Sequence, residues 1–267
     1  MRARAVPFLL CLTSALALAG CNMMGADKNR PETALDFPHA ERPVAPADST
    51  RFSDEASRDK LNEAGDVMDR SGVEPGMTVA DIGAGDGYYT VRLAARVGAK
   101  GRVLAQDIQP KVIERLADRV SRERLDNVSI KLGAVDDPRL PANSFDRVFL
   151  IHMYHEIAEP YAFLWRLRPA LHKGGEVVVV DADRPTNQHG TPPRLLFCEM
   201  EAVGYKLVSF VEDERFGGYF ARFTPEGARP EPGAIKPCTM AQVGAQVGAQ
   251  SGTQGGSSAP AGGASIN

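Results

Sequence analysis

Four side chains capable of acid–base chemistry lie within five residues of one another, at His152, Tyr154, His155 and Glu156. Two imidazoles, a phenol and a carboxylate in one place can orient a nucleophile and take its proton. We expect His155 to act as the base or orienting group and the other three residues to line the same site. A structural interpretation stays open, in which His152 packs beneath a ligand, Tyr154 starts a helix and Glu156 faces solvent.

The same segment is a poor metal-binding motif. Its order, His-x-x-His-Glu, is neither His-Glu-x-x-His nor the inverse of that motif, and the sequence shows no further cluster of ligands. The sequence therefore predicts no metal site.

A second group of residues with binding chemistry is the glycine-rich run VADIGAGDGYY, residues 79–89. Gly83, Gly85 and Gly87 allow a strand-to-helix turn that other residues disfavour, and they bring backbone N–H groups close to a ligand. Asp107 lies twenty residues beyond Gly87, where a carboxylate can accept hydrogen bonds from both hydroxyls of a ribose. The pattern predicts a cofactor that contains a nucleoside.

The glycine spacing argues against a dinucleotide cofactor. The motif Gly-x-Gly-x-x-Gly places its third glycine where this chain has Tyr88. Asp81, beside the loop, would repel a pyrophosphate but can help to bind an ammonium group. A dehydrogenase is therefore the weaker alternative.

The elements that must position these residues follow the alternating pattern of a doubly wound α/β sheet. Apolar runs predict strands at 77–82, 101–107, 128–132, 147–151, 176–181, 205–211 and 218–224. Helices are predicted at 53–72, with Ser53 as the cap, and at 89–97, 110–122, 159–171 and 194–203. The last two strands are too close together for a crossover helix, so they must form an antiparallel hairpin at the end of a mostly parallel sheet.

These ordered motifs resemble the class I S-adenosylmethionine-dependent methyltransferases over about residues 55 to 225. They are the loop from Asp81 to Gly87, the acidic Asp107, the run NSFD at 143–146 and the run LRPALHKGG at 167–175. The resemblance implies a seven-stranded Rossmann-like sheet with a closing hairpin. It also implies S-adenosyl-L-methionine as the cofactor and methyl transfer as the reaction.

The resemblance implies a set of cofactor contacts. Asp81 and the glycine loop would hold the methionine part, and Asp107 the ribose; the full set is Asp81, Gly83, Ala84, Gly85, Gly87, Tyr88, Asp107, Ile108, Ala134, Val135 and Asp136. The aspartate that bonds the adenine amino group in many members is absent, because this chain has Gly-Ala-Val at 133–135. Either Asp136 replaces it, or the backbone and the Val135 side chain hold the adenine.

The first twenty residues have the pattern of an export signal. Arg2 and Arg4 precede an almost wholly apolar run at 5–19, and the run ends in Leu-Ala-Gly-Cys. This ending resembles the lipobox of bacterial lipoproteins, in which acylation of Cys21 would anchor the chain. We expect a lipoprotein on the periplasmic face of a bacterial envelope; the alternatives are a secretory signal, an uncleaved anchor, or a cytoplasmic protein if the signal is not used.

Composition divides the chain into four parts: a signal peptide at 1–20, a flexible tether at 21–50, one methyltransferase domain at 51–228, and a disordered tail at 229–267 rich in Gly, Ala, Gln and Ser. Four cysteines are too few for a disulfide framework, and whether Cys198 pairs with Cys238 stays open.

The net charge of -3 provides no basic surface for nucleic acid. We therefore expect in-line methyl transfer to a small-molecule or lipid-like acceptor by a chain that is monomeric by default. The region 152–156 has a general likeness to methyltransferases of quinone biosynthesis, which does not name an acceptor. The alternative is a non-catalytic, cofactor-binding or structural lipoprotein, because an exported compartment has no obvious supply of the cofactor.

Overall fold

The computed structural model describes residues 30–46, 54–216 and 218–239. The predictions for the signal peptide, for Cys21 and for residues 240–267 lie outside these ranges. In the described part of the chain, seven strands form one sheet in the order β3-β2-β1-β4-β5-β7-β6. They are β1 (Thr78–Ile82), β2 (Arg102–Asp107), β3 (Val128–Leu132), β4 (Phe145–Ile151), β5 (Leu171–Asp181), β6 (Tyr205–Asp213) and β7 (Gly218–Pro225).

The direction of the strands confirms the predicted fold class. Strands β1 to β5 run parallel to one another, whereas β7 is antiparallel to both β5 and β6. Valines 177 to 180 of β5 are fully buried, and successive valines point alternately into the two hydrophobic clusters on opposite faces of the sheet. This run is therefore a strand covered on both faces, as its composition predicts.

Within the described ranges, six α-helices accompany the sheet: α1 (Glu55–Lys60), α2 (Glu63–Arg70), α3 (Tyr88–Val97), α4 (Pro110–Arg122), α5 (Pro160–Leu167) and α6 (Pro193–Ala202). The helix predicted at 53–72 is in fact two helices, because Asn62 adopts a left-handed conformation with φ of 51°. The cap of α1 is Asp54, whose carboxylate accepts a hydrogen bond from the backbone N–H of Ser57. Among the described residues, no helix combines the length and the apolarity that a bilayer span requires.

The helix predicted at 159–171 ends early, at Leu167. A short 3-10 turn, Arg168–Ala170, follows it, and Leu171 already opens β5. Pro169 explains the difference, since proline has no N–H to continue a helical ladder and restricts the residue before it.

Residues 30–46 are a layer of the folded domain and not the flexible tether predicted for 21–50. Ala34, Phe37 and Ala40 are buried against the core. Arg42 pairs with Glu199 of α6 at 2.8 Å, and both side chains are 1% exposed. The composition alone does not predict this order. A proline-rich extended segment packs on a domain when its small apolar residues fit the core and its arginines form ion pairs.

The domain also extends past residue 228, so residues 229–239 do not belong to a disordered tail. The Trp165 indole N–H donates a hydrogen bond to the Pro230 carbonyl, and the Arg229 guanidinium lies 3.2 Å from the centroid of the Trp165 ring. Cys238 forms a disulfide with Cys198 of α6, which answers the question of pairing that the sequence left open.

We predict that Arg42→Ala destabilises the domain, because it leaves the buried Glu199 carboxylate without its positive partner. The free energy of unfolding should fall by about 3–5 kcal/mol, measured by urea denaturation. The control is Arg122→Ala, since Arg122 is exposed at the end of α4, and its effect should stay within about 0.5 kcal/mol. If the two variants were equally stable, residues 30–46 would not contribute to folding.

A second prediction concerns the disulfide between Cys198 and Cys238, which are 40 residues apart in sequence. The disulfide restricts the conformations of the unfolded chain, and its reduction removes this restriction. The free energy of unfolding should therefore fall by about 2–4 kcal/mol. Urea titrations with and without dithiothreitol measure this loss. The double variant Cys198→Ser, Cys238→Ser should be insensitive to dithiothreitol; an unchanged transition after verified reduction of the wild type would contradict the prediction.

Candidate active site

The candidate site lies where the order of strands along the sheet reverses. Strand β1 pairs with β2 on one side and with β4 on the other, so the chain leaves the two central strands in opposite directions. Open α/β sheets bind ligands at such a point, beyond the carboxyl ends of the strands. A cavity of about 310 Å³ lies there.

Most of the residues predicted from the sequence meet at this cavity. Its walls include Gly83, Ala84, Gly85, Tyr88, Asp107, Ile108, Ala134, Val135, His152 and Glu156. Five predicted residues do not line it: Asp81, Gly87, Asp136, Tyr154 and His155.

The glycine loop joins β1 to α3 and needs glycine at particular positions. Gly83 has a φ of +67°, and a Cβ atom there would lie 3.0 Å from Met153 Cγ. Gly87 has a φ of +90°, and a Cβ atom there would lie 2.7 Å from the Leu116 side chain. Gly87 therefore allows the loop to pack closely against α4. This packing explains the need for glycine at a position that does not line the cavity.

Asp107 ties the end of β2 to this loop. Its Oδ2 accepts a hydrogen bond from the Gly85 N–H at 3.2 Å, and its Oδ1 accepts one from the Gln109 N–H at 3.0 Å. An ionised carboxylate has about four lone-pair positions, so both oxygens keep the capacity to accept hydroxyl groups. The carboxylate is thus fixed in place at the cavity wall.

The neighbouring wall is apolar. Ile108 and Val135 are 38% and 42% exposed, which is unusual for large apolar side chains of this domain, and both line the cavity. Exposed apolar side chains that line one concave site are typical of a surface that binds a ligand. This end of the cavity suits a flat, apolar ring system.

Asp136 does not take the place of the missing adenine carboxylate at this wall. It is only 3% exposed, and its Oδ2 accepts hydrogen bonds from the Arg166 guanidinium and from the Thr33 hydroxyl, each at 2.6 Å. The reason is electrostatic, because a buried carboxylate is stable only with such partners.

Asp81 is likewise buried behind the loop. Its Oδ2 accepts a hydrogen bond from the Thr90 hydroxyl at 2.6 Å. Burial raises the pKa of Asp81 to about 6, although the hydrogen bond from Thr90 acts in the opposite direction. A cationic group bound near the loop would favour the ionised form of this carboxyl.

His152 is held at the cavity by a carboxylate of α2. Its Nε2 lies 3.3 Å from Glu63 Oε1, and the Arg58 guanidinium and the Tyr89 hydroxyl donate to the same carboxylate. Burial would raise the pKa of Glu63, but the hydrogen bonds to His152 and Arg58 outweigh it and hold that pKa at about 2. Glu63 therefore stays ionised and anchors His152.

Tyr154 follows the structural interpretation and lies in the core. It is fully buried and opens a short 3-10 helix, Tyr154–Glu156. Its hydroxyl donates a 2.7 Å hydrogen bond to Glu199, and burial raises the pKa of Tyr154 well above its ordinary value. The phenol therefore supports the Arg42 ion pair and faces away from the cavity.

His155 is also fully buried, behind Glu156. Its Nδ1 lies 3.0 Å from Asp181 Oδ1, at the end of β5. His155 does not line the cavity and is therefore not placed to act as the base that the sequence predicted. Glu156 and His152, both from the segment after β4, are among the cavity groups with acid–base chemistry.

Sequence reasoning missed several wall residues. Asp54, Glu55 and Arg58 reach the cavity from the start of α1, and Gln106, Met153 and Phe163 complete neighbouring walls. No motif marks the α1 residues. Their distance in sequence from the glycine loop is not fixed, because α1 precedes the first strand and packs over the site from outside the sheet. Met153 and Gln106 adjoin residues that the motifs do mark, and that adjacency is the only signal that would have found them.

The comparison with protein families agrees with this geometry. Residues 73–203 match a family model described as "Methyltransferase domain". The chain is 29% identical over 127 residues to the ubiquinone/menaquinone biosynthesis C-methyltransferase UbiE of Hahella chejuensis, covering 45% of this chain and 49% of that protein. It is 27% identical over 160 residues to the demethylmenaquinone methyltransferase of Staphylococcus aureus, covering 60% of this chain and 61% of that one. The chain thus spans about half or somewhat more of these relatives.

Solved structures share the fold. A SAM-dependent methyltransferase from Aquifex aeolicus superposes with a TM-score of 0.55 at 25% identity, over 64% of this chain and 97% of that one. The [4+2]-cyclase SpnF superposes with a TM-score of 0.56 at 16% identity, over 73% and 91% of the two chains, which is a likeness of fold alone. Residues 73–203 therefore match a methyltransferase domain, and S-adenosyl-L-methionine is the cofactor that this fold and its relatives imply.

Proposed function

We propose that this protein transfers the methyl group of S-adenosylmethionine to a small-molecule or lipid-like acceptor. One observation carries the proposal: a single cavity joins the glycine loop and Asp107, which suit the cofactor, to His152 and Glu156, which suit an acceptor. Separate pockets for these groups would not support a direct transfer between two bound molecules.

The cofactor side of the cavity is built for a nucleoside. S-adenosylmethionine supplies an activated methyl group on a sulfonium centre. Asp107 would accept hydrogen bonds from ribose hydroxyls, and Ile108 and Val135 would pack against the adenine without a carboxylate at its amino group. A Cβ atom at Gly85 would point into open space. The absence of a side chain there lets the ligand approach the backbone closely.

The acceptor side combines apolar walls with two polar groups. Met153, Ile157 and Phe163 lie beside Glu156 and His152. Methyl transfer is an in-line displacement that mainly requires alignment and the exclusion of water, which apolar walls provide. His152 or Glu156 would take the proton where the acceptor atom is a hydroxyl or an acidic carbon. The names of the relatives, a ubiquinone/menaquinone biosynthesis C-methyltransferase and a demethylmenaquinone methyltransferase, favour a lipid-like acceptor.

We also propose that the protein works outside the cytoplasm as an envelope lipoprotein acylated at Cys21. The apolar N-terminal run and its Leu-Ala-Gly-Cys ending support this location. The disulfide between Cys198 and Cys238 supports it independently, because such bonds persist in oxidising compartments.

Asp107→Ala should abolish most of the affinity for the cofactor. The variant removes a charged acceptor of two hydroxyl hydrogen bonds, so the Kd for S-adenosylhomocysteine should rise about 100-fold. Isothermal titration of the purified full chain measures this change.

The matched control for that experiment is Asp118→Ala. Asp118 is an exposed aspartate of α4, and its loss should leave the Kd unchanged. No binding by the wild type, or equal binding by both variants, would sink the proposed cofactor site. Binding without transfer to lipid or small-molecule extracts would instead favour a cofactor-binding lipoprotein that does not catalyse.

The proposed location predicts the chemistry of the mature N-terminus. Cell fractionation should place the protein in the membrane fraction, and mass analysis should find an acylated Cys21 as its first residue. Cys21→Ser should move the protein out of the membrane fraction. A cytosolic protein that retains Met1 would contradict the lipoprotein proposal and leave the methyl-transfer proposal intact.

A further inference from the structure

Three side chains with metal-binding atoms meet behind the acceptor end of the cavity. A nitrogen of His155, a carboxylate oxygen of Glu156 and a nitrogen of His189 all lie within 4.8 Å of one another. His155 and His189 are 34 residues apart in the sequence, so the motif at 152–156 contains only two of the three. The sequence predicted no metal site because its third member comes from the loop after β5.

The observation that most favours a metal-binding role is the environment of the Nε2 atom of His155. The His155 side chain is fully buried, and this nitrogen has no hydrogen-bond partner among the described residues. Its nearest carboxylate oxygen, Glu156 Oε1, is 3.9 Å away, which is too far for a hydrogen bond. A buried polar atom without a partner is costly, and such atoms call for an explanation.

The other nitrogen of His155 is fixed in the way that metal-binding histidines are fixed. Its Nδ1 lies 3.0 Å from Asp181 Oδ1. Asp181 is in turn held by the Thr191 hydroxyl and the Ala182 N–H. A carboxylate that accepts the Nδ1 proton leaves Nε2 with a free lone pair directed at the cluster, as in carboxylate–histidine–metal arrangements.

The backbone around the cluster is braced by the N-terminal layer. The Ala45 N–H donates to the His155 carbonyl, and the Thr186 hydroxyl, three residues before His189, donates to the Pro43 carbonyl. The His155 and His189 rings stand edge to face with centroids 5.4 Å apart. Residues 43–45 therefore hold together the two loops that supply the histidines.

We propose that His155, Glu156 and His189 bind a divalent transition-metal ion, for which Zn²⁺ is the probe. Two imidazoles and one carboxylate are a ligand set that zinc takes in catalytic sites, where a fourth position stays open. Glu156 also lines the cavity, so the ion lies at the acceptor wall. There it would lower the pKa of an acceptor hydroxyl; this last consequence rests on the proposed function, whereas metal binding does not.

The test is titration of the metal-free full chain with Zn²⁺, after alkylation of free thiols. The wild type should bind a single ion per chain. His189→Asn should weaken binding by about 100-fold or more, because even the loss of an outer-shell partner costs roughly 10- to 100-fold. Asparagine tolerates the left-handed backbone at this position, where φ is 59°, so the variant should fold.

The matched control is His39→Gln, since His39 is exposed and should not affect zinc affinity. Glu156→Gln, which keeps the shape of the side chain, should weaken binding as well. No zinc binding by the wild type, or equal binding by His189→Asn and His39→Gln, would overturn the site. Titration of the same metal-free chain with S-adenosylhomocysteine separates the two proposals, because its failure would bear on the proposed function and not on zinc.

Discussion

The reversal of strand order between β1 and β4 is the constraint on which the rest of the structure depends. From β1 the chain builds outward through β2 to β3, then returns to place β4 on the other side of β1. The loops after these two central strands therefore diverge, and a crevice opens between them. The glycine loop lies on one side and residues 152–157 lie on the other. Groups that suit the cofactor and groups proposed for the acceptor therefore meet at one cavity although they are far apart in the sequence.

Buried carboxylates decide which of the reactive side chains face this crevice. Several of them are paired with a base or cation from another element; examples are Glu63 with Arg58 and His152, Asp136 with Arg166, Asp181 with His155, and Glu199 with Arg42. These pairs hold side chains that are capable of acid–base chemistry in fixed positions, and of these His152 also lines the cavity. Burial of an ionised group demands this pairing, whereas Glu156, which is part-exposed, lines the cavity.

Local patterns were enough to predict the sheet, the glycine loop and Asp107, because apolar periodicity, turn residues and a fixed spacing encode them directly. The break at Asn62 was not predictable, since it depends on one left-handed residue inside an otherwise helical pattern. The ordered layer at 30–46 and the position of His189 were not predictable either. Both depend on contacts across the fold, such as the pair between Arg42 and Glu199, which are 157 residues apart.

The layer at 30–46 also braces residues next to the walls of the cavity. Thr33 holds Asp136, which follows the lining residue Val135, and Ala45 holds the backbone of His155, which precedes the lining residue Glu156. Both anchoring residues lie outside the matched domain at 73–203, as does Arg58, which reaches the cavity from α1. The matched domain contains the glycine loop and Asp107, whereas part of the cavity wall is positioned by residues outside it. We therefore expect the choice of acceptor to depend on these segments as well as on the matched domain.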